Sequence, residues 1–280
     1  MKMNHLIICI FFAIAIFLCK ASIAKPFLQS PTQFLPSTLE EPIAKPLEEP
    51  DVRKGRKKPP RHPQSPPGPP PPPPHLTFDH FKLAETWPPT FCKDPANNCF
   101  HDWPTINRFI IHGLWPAKKG SDELKDCDKH YHAPSTEHLN GIHTKLTDYW
   151  PSLHKAQFQV QANINFWLYE WKEHGTCSVQ LLNFHDYFNV AIKLYQKHKI
   201  LDILKNAGIK PGGTYSPDEI SDAISKHVQF TPQIQCKKIG EISYLSEVRL
   251  CFTASKDPQY INCDHHGSLF GHECDAEVHF

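Results

Sequence analysis

Eight cysteines between Cys92 and Cys274 constrain this chain of 280 residues more than any other feature. The only other two, Cys9 and Cys19, fall in an apolar run near the start. An even set spread over a domain reads as a disulfide framework if the chain reaches an oxidising compartment. The competing reading is a zinc site, but no CxxC pair occurs, and His265, His266 and His272 near Cys274 are too loosely spaced for a ligand set. Spacing alone leaves on the order of a hundred connectivities for eight cysteines.

The N-terminus supplies the oxidising context. Lys2 precedes an apolar run from Leu6 to Cys19, followed by Ser22-Ile23-Ala24, so residues 1–24 read as a cleavable secretory signal. The run is shorter than the ~20 apolar residues a spanning helix needs. No later segment is long enough to span, so no membrane association is expected once the signal is removed. Residues 25–74 change character: proline recurs throughout, 53–61 is basic (Arg53, Lys54, Arg56, Lys57, Lys58, Arg61), and Pro69–Pro74 is unbroken. Such composition cannot bury enough apolar surface to offset the entropy of ordering, and predicts a disordered extension ending in a polyproline II stalk. It reads as a solvated spacer, with docking to polyanions through residues 53–61, or removal as a propeptide, as the sharper alternatives.

The remaining residues, 75–280, suit one domain. They carry 20 Lys plus Arg against 24 Asp plus Glu, an acidic balance at neutral pH that is unusual for a nucleic-acid binder. However, 17 of the 19 histidines lie here. Acidification toward pH 5 reverses the sign, so affinity for a polyanion should rise between neutral and mildly acidic pH.

Strand-like runs cover Thr77–Leu83, Ile106–Ile111 and Glu247–Thr253, the last alternating Val248, Leu250 and Phe252 with polar neighbours. Helical patterns cover Ser135–Leu146, Asn163–Glu173, Phe184–His198 and Ile200–Ala207 with Gly208 as stop. A further helix opens on Ser216, Pro217 and Glu219, a capping box. Clustered helices that do not alternate with strands predict an α+β fold around a central antiparallel sheet, braced by disulfides.

Two stretches carry titratable groups in a pattern suited to proton transfer. In Phe166–Cys177, Trp167, Glu170, Trp171 and His174 recur at i, i+3, i+4, i+7, which puts a carboxylate and an imidazole one turn apart on one helix face. Gly175 is expected to end that helix. In Phe109–Pro116, an apolar run too short for a helix delivers His112 just before Gly113, as a strand presenting the ring at its end. Two histidines near an unperturbed pKa of about 6.5 can divide general acid and general base duty.

These stretches, His112-Gly113-Leu114-Trp115-Pro116 and Phe166-Trp167 through Glu170-Trp171 to His174-Gly175-Thr176-Cys177, resemble in order the two signature segments of the ribonuclease T2 family. Trp87-Pro88-Pro89-Thr90-Phe91-Cys92 is similar to the family's opening segment, and the likeness runs from about His75 to Phe280. The resemblance implies cleavage of single-stranded RNA without metal or other cofactor. In that reaction the ribose 2′-hydroxyl attacks phosphorus to give a 2′,3′-cyclic phosphate. It implies His174 as base, His112 as acid with the two roles exchangeable, and Glu170 as an auxiliary. It also implies disulfides Cys92 with Cys99, Cys127 with Cys177, Cys236 with Cys274, and Cys251 with Cys263. Trp115, Tyr169 and Lys172 are the candidate substrate contacts, with Trp115 offering a ring for base stacking.

Two positions depart from the family pattern. Tyr169 stands where many members have His, and Glu173 where they have Lys, as if Glu-Lys had become Lys172-Glu173. One residue is about 100° around a helix, so Lys172 does not simply replace the missing cation. If Glu173 faces the site, it opposes charge developing on phosphorus and lowers turnover. Ala117 follows the first motif where relatives can carry an acid, which predicts low base selectivity. No Asn-X-Ser/Thr sequon occurs. The reading that emerges is a monomeric, secreted or vacuolar plant-type endoribonuclease for RNA turnover, phosphate recovery or defence. The alternatives are a self-incompatibility ribonuclease, or a catalytically weak relative acting as a storage protein or RNA-binding toxin.

Overall fold

The computed structural model describes residues 76–99, 106–121, 123–264 and 274–280. The expected signal at 1–24, the proline-rich stretch at 25–74 with its basic cluster, and His265, His266 and His272 lie outside them.

The chain forms strands β1 (His80–Thr86), β2 (Ile110–Ala117), β3 (Thr214–Tyr215), β4 (Gln233–Ile239), β5 (Ile242–Thr253), β6 (Tyr260–Ile261) and β7 (Val278–His279). The α-helices are α1 (Pro88–Lys93), α2 (His143–Tyr149), α3 (Gln159–Glu173), α4 (Phe184–Tyr195), α5 (Ile200–Asn206) and α6 (Pro217–Val228). One seven-stranded sheet runs β2-β1-β5-β7-β3, with β4 and β6 also paired to β5. All pairings are antiparallel except β5 with β7. The fold is α+β, as composition and pattern predict.

The helices cover the sheet and bury its apolar side. Phe81, Leu83 and Leu114 from the sheet pack in one core with Trp167 and Trp171 of α3 and Tyr187 and Phe188 of α4. Trp167 and Trp171 are core residues, as their shared stripe with Glu170 predicts. The capping box on α6 forms as read: Ser216 Oγ accepts from the Glu219 amide at 3.1 Å, and Glu219 Oε2 accepts from the Ser216 amide at 2.8 Å. Gly208, at φ +86°, follows α5 and closes it in the left-handed region where a side chain is strained.

Several boundaries differ from expectation. The segment 135–146 is not one helix: a 3₁₀ turn over Thr136–Leu139 and α2 from His143 are separated by Asn140-Gly141. Helix α3 ends at Glu173 as expected but begins earlier, at Gln159; His174 is its C-cap, and Gly175 opens a 3₁₀ turn to Ser178. Most consequentially, β2 does not stop at Ile111 but continues through His112, Gly113 and Pro116. It can do so because β2 is the terminal strand, where a proline, which has no N–H to donate, leaves no partner carbonyl waiting.

Four disulfides close the frame: Cys92–Cys99, Cys127–Cys177, Cys236–Cys274 and Cys251–Cys263. The second spans 50 residues and ties the loop after β2 to the turn that follows α3. Closing a loop of that length restrains the unfolded chain by about 4 kcal/mol. Among the described residues no helix is long and apolar enough to cross a membrane.

Candidate active site

The presentation of His112 begins with one extra residue. Across β1 and β2, Glu85 faces Ile111 and Ala84 faces Gly113, so His112 has no opposite number and forms a β-bulge. Without it, strand alternation would give His112 the side of Leu114, which is fully buried. With it, the imidazole meets the edge of the Trp115 ring at 5.0 Å between centroids. The bulge is held from behind, where Trp150 Nε1 donates to the His112 carbonyl and Trp167 Nε1 donates to the Trp150 carbonyl, both at 2.7 Å.

Gly113 is glycine for a steric reason. A β-carbon there would stand 2.1 Å from Trp115 Nε1 and 2.4 Å from Glu170 Oε2, on top of the 3.1 Å hydrogen bond that joins them. Gly113→Ala should therefore cost about 1–3 kcal/mol, as overpacking of a tight interior does, and break the Trp115–Glu170 contact. A melting temperature equal to wild type would show that the site yields freely.

Helix α3 delivers the partners. Glu170 is 1% exposed, and His174 caps the helix end. His174 Nδ1 lies 3.0 Å from the Leu124 carbonyl. A carbonyl only accepts, so Nδ1 carries the hydrogen and Nε2 of the neutral ring keeps its lone pair. The Trp115 ring lies 5.2 Å from the His174 ring and 5.0 Å from that of His112, so one indole separates and spaces the two imidazoles.

A chain of ion pairs runs from His112 across the sheet. His112 Nδ1 meets Glu247 Oε2 at 2.6 Å, Arg249 Nε meets Glu247 Oε1 at 2.7 Å, and Arg249 Nη1 meets Glu123 Oε1 at 2.9 Å. Lys82 Nζ completes it at 3.1 Å from the same Glu123 oxygen. The Arg249 guanidinium also lies over Trp115, 4.8 Å from the ring centre.

These surroundings move the two histidines in opposite directions. Burial opposes charge on His112, but the Glu247 carboxylate, by charge and hydrogen bond and with Glu170 behind it, raises its pKa above the ordinary value. Burial of His174, only partly offset by the Leu124 carbonyl, lowers its pKa. Burial also lifts the Glu170 carboxyl to about 7, against the pull of His112 and Trp115. Glu247 is held down at about 2 despite its burial, by Arg249 and His112.

Hollows open on either side of His112. One of about 670 Å³ is lined by Phe158, Phe166, Tyr169 and Glu170 as well as His112, and the other, of about 350 Å³, by Thr86, Thr90, Gln235, Lys237 and Arg249 with His112. Phe158 is 67% and Tyr169 57% exposed, which leaves both rings open to a planar ligand.

Of the residues singled out in the sequence, His112, Trp115, Glu170 and His174 converge, and Tyr169 borders the larger hollow. Trp115 does not offer a stacking face: it is 5% exposed, with an imidazole, a guanidinium and a carboxylate against it. Lys172 and Glu173 pair with each other at 3.4 Å, and Lys172 lines neither hollow. Sequence reasoning missed Glu247, Arg249, Glu123 and Phe158. The polar side of the strand Glu247–Thr253 carried the signal for the first two, an acid and a base two residues apart on one strand face. Among the described residues no cluster of His, Cys, Asp or Glu is arranged to hold a metal ion.

An α+β fold that gathers two histidines and a buried carboxyl around one indole, with His112 and Glu170 lining an open hollow and His174 only 7% exposed behind them, defines an acid–base catalyst. Residues 78–263 match the profile of the Ribonuclease T2 family, and the chain belongs to that family. It is 34% identical over 207 residues to Ribonuclease 1 of Arabidopsis thaliana, covering 72% of this chain and 86% of that one. It is also 34% identical over 212 residues to Intracellular ribonuclease LX of Solanum lycopersicum, covering 72% and 84%. Ribonuclease MC1 from the seeds of bitter gourd superposes with a TM-score of 0.63 at 27% identity, covering 72% of this chain and all of that one.

Proposed function

We propose that this chain cleaves single-stranded RNA by transesterification to 2′,3′-cyclic phosphate ends, without metal. The observation that carries this reading is the convergence of both histidines and the Glu170 carboxyl on one indole: the Trp115 ring lies 5.0 Å from His112 and 5.2 Å from His174 and donates to Glu170 at 3.1 Å. His174, kept neutral with its Nε2 lone pair free, takes the proton of the 2′-hydroxyl. His112, kept protonated by Glu247, gives a proton to the leaving 5′-oxygen. Glu170, with its carboxyl lifted to about 7, can donate to a phosphorane oxygen instead of repelling it. Nucleotides on either side of the scissile bond occupy the two hollows that meet at His112. Phe158, Phe166 and Tyr169 supply stacking surfaces that tolerate any base, and Ala117, fully buried, supplies no carboxylate to select one.

The test is incubation of the refolded, disulfide-bonded protein with RNA in EDTA. Cyclic-phosphate ends should appear; intact RNA with retained binding would favour a storage protein or RNA-binding toxin instead. The secretory signal at 1–24 and the disulfide-braced fold support a secreted or vacuolar location, and RNA turnover, phosphate recovery or defence as its use. The extension at 25–74 is proposed as a spacer that can contact polyanions through residues 53–61, ahead of a monomeric catalytic domain at 75–280.

Glu173 weakens this enzyme little. Its carboxylate is paired with Lys172, and it reaches the site only as a small contribution to the raised pKa of Glu170. Partly exposed charges of this kind are worth about 0–1 kcal/mol, so Glu173→Lys should change kcat by less than about fivefold. A rise of a hundredfold would mean that the carboxylate opposes the phosphorane directly.

A further inference from the structure

We propose that Glu123 and Leu124 form one positioning element that sets both histidines at once, with Glu123 acting through its side chain on His112 and Leu124 through its carbonyl on His174. This rests on the reading of those histidines as the acid–base pair. The geometry supports it from both directions. The Glu123 carboxylate takes Arg249 Nη1 at 2.9 Å, Arg249 holds Glu247 at 2.7 Å, and Glu247 holds His112 at 2.6 Å. The next residue in the chain, Leu124, accepts His174 Nδ1 at 3.0 Å. Two consecutive residues therefore reach imidazoles that come from a strand and from a helix.

The element is itself fixed at both ends. Glu123 bridges Ala117 of β2, and the Leu124 amide donates to the Pro116 carbonyl at 2.8 Å. Two residues on, the Asp126 amide donates to the Glu173 carbonyl at 2.7 Å, and Cys127 is covalently bound to Cys177. The segment thus spans from the strand that carries His112 to the helix end that carries His174. A rigid strut of this kind sets the spacing that in-line proton transfer requires.

The charges facing each ring make the coupling readable. His112 faces Glu247 and Arg249 from β5 and Glu170 from α3, and His174 faces Leu124, Lys125 and Glu123 from the strut and His112 from β2. Glu123 itself faces Arg249 from β5 and Lys82 and His80 from β1. Neutralising Glu123 removes a carboxylate that favours the charged form of His174. It also leaves Arg249 less compensated, and Arg249 disfavours the charged form of His112. Both rings should then lose their protons at lower pH. Of the two rings, Glu247 faces His112 and not His174, so neutralising it acts on His112.

The experiment compares wild type, Glu123→Gln and Glu247→Gln as full, disulfide-bonded chains, by NMR titration of the histidine rings and by the pH profile of kcat/KM. In Glu123→Gln both limbs of the profile should move toward acid together, with kcat about tenfold lower, the size of effect usual for an outer supporting contact, and KM little changed. In Glu247→Gln only the alkaline limb should move. Glu123→Asp, which keeps the charge, should restore the wild-type titrations. Limbs that stay in place, or only one that moves, in Glu123→Gln would overturn the proposal. Should Glu123→Gln fail to fold because Lys82 is stranded, the double variant Lys82→Met/Glu123→Gln removes the stranded cation and must show the same joint shift; if neither folds, Glu123 is a structural residue and the proposal falls. Absence of cyclic phosphate from wild type would instead remove the nuclease reading, while the ring titrations would still decide the coupling.

Discussion

His174→Ala and His112→Ala should each lower kcat for RNA cleavage by about a thousandfold, within the 10²–10⁴ range that one positioned acid or base supplies. KM should change little, because neither ring is asked to bind substrate in the ground state more tightly than at the transition state. The two losses should not multiply in the double variant: with either ring gone, the concerted transfer is already lost. Quantifying cyclic-phosphate ends in EDTA measures this directly. A variant retaining more than a tenth of wild-type kcat would show that its histidine is not a proton carrier.

The second large effect is on pH dependence. Under the proposed mechanism the productive form has His174 neutral and His112 protonated. Activity should therefore rise as pH climbs through the lowered pKa of His174 and fall as pH climbs through the raised pKa of His112. The result is a bell that straddles the ordinary histidine value of about 6.5. Glu247→Gln removes the carboxylate that holds the proton on His112 and leaves burial, which acts in the opposite direction, as the largest influence. The alkaline limb should move toward acid, so activity at pH 7.5 drops more than activity at pH 5.5. Apparent values belong to the coupled set that includes Glu170, so the shift between variants, and not either absolute value, is the quantity to measure. A maximum above pH 8 in wild type, or an unmoved alkaline limb in Glu247→Gln, would refute this division of roles.

What the sequence disclosed of the site follows the distance over which pattern reaches. Glu170 and His174 were legible because four residues on one helix give a fixed angular relation, and His112 because its motif is contiguous. Glu247 was not, since it lies 135 positions from the histidine it grips, and nothing local encodes that register. The bulge was equally hidden: Gly113 reads as a break, only the partner strand shows that it is a strand residue, and only Trp115 and Glu170 show that it has no room for a side chain. Among the helices, the α6 capping box was legible to the residue, whereas the apolar spacing of Leu139, Ile142 and Leu146 runs on through the interruption at Asn140-Gly141. Cysteine spacing left the pairing open; the resemblance to the ribonuclease T2 family implied all four pairs, Cys127 with Cys177 among them, and the folded chain forms each of them. Trp115 shows the other kind of failure: a ring named for stacking turned out to be a spacer, because contiguity reveals which residues gather but not which faces remain uncovered.

The bulge in β2 has a consequence for how this protein can change over time. Because alternate residues of a strand face opposite ways, His112 points correctly only while the count from Ile110 to Ala117 is preserved. Substitutions elsewhere can retune the catalyst gradually. A one-residue insertion or deletion in this strand instead flips what lies beyond it, exchanging the surroundings of Leu114 and Trp115 and moving His112 off its bulge. Length in β2 should therefore be inherited as an all-or-nothing character, even where the surrounding loops lengthen and shorten freely.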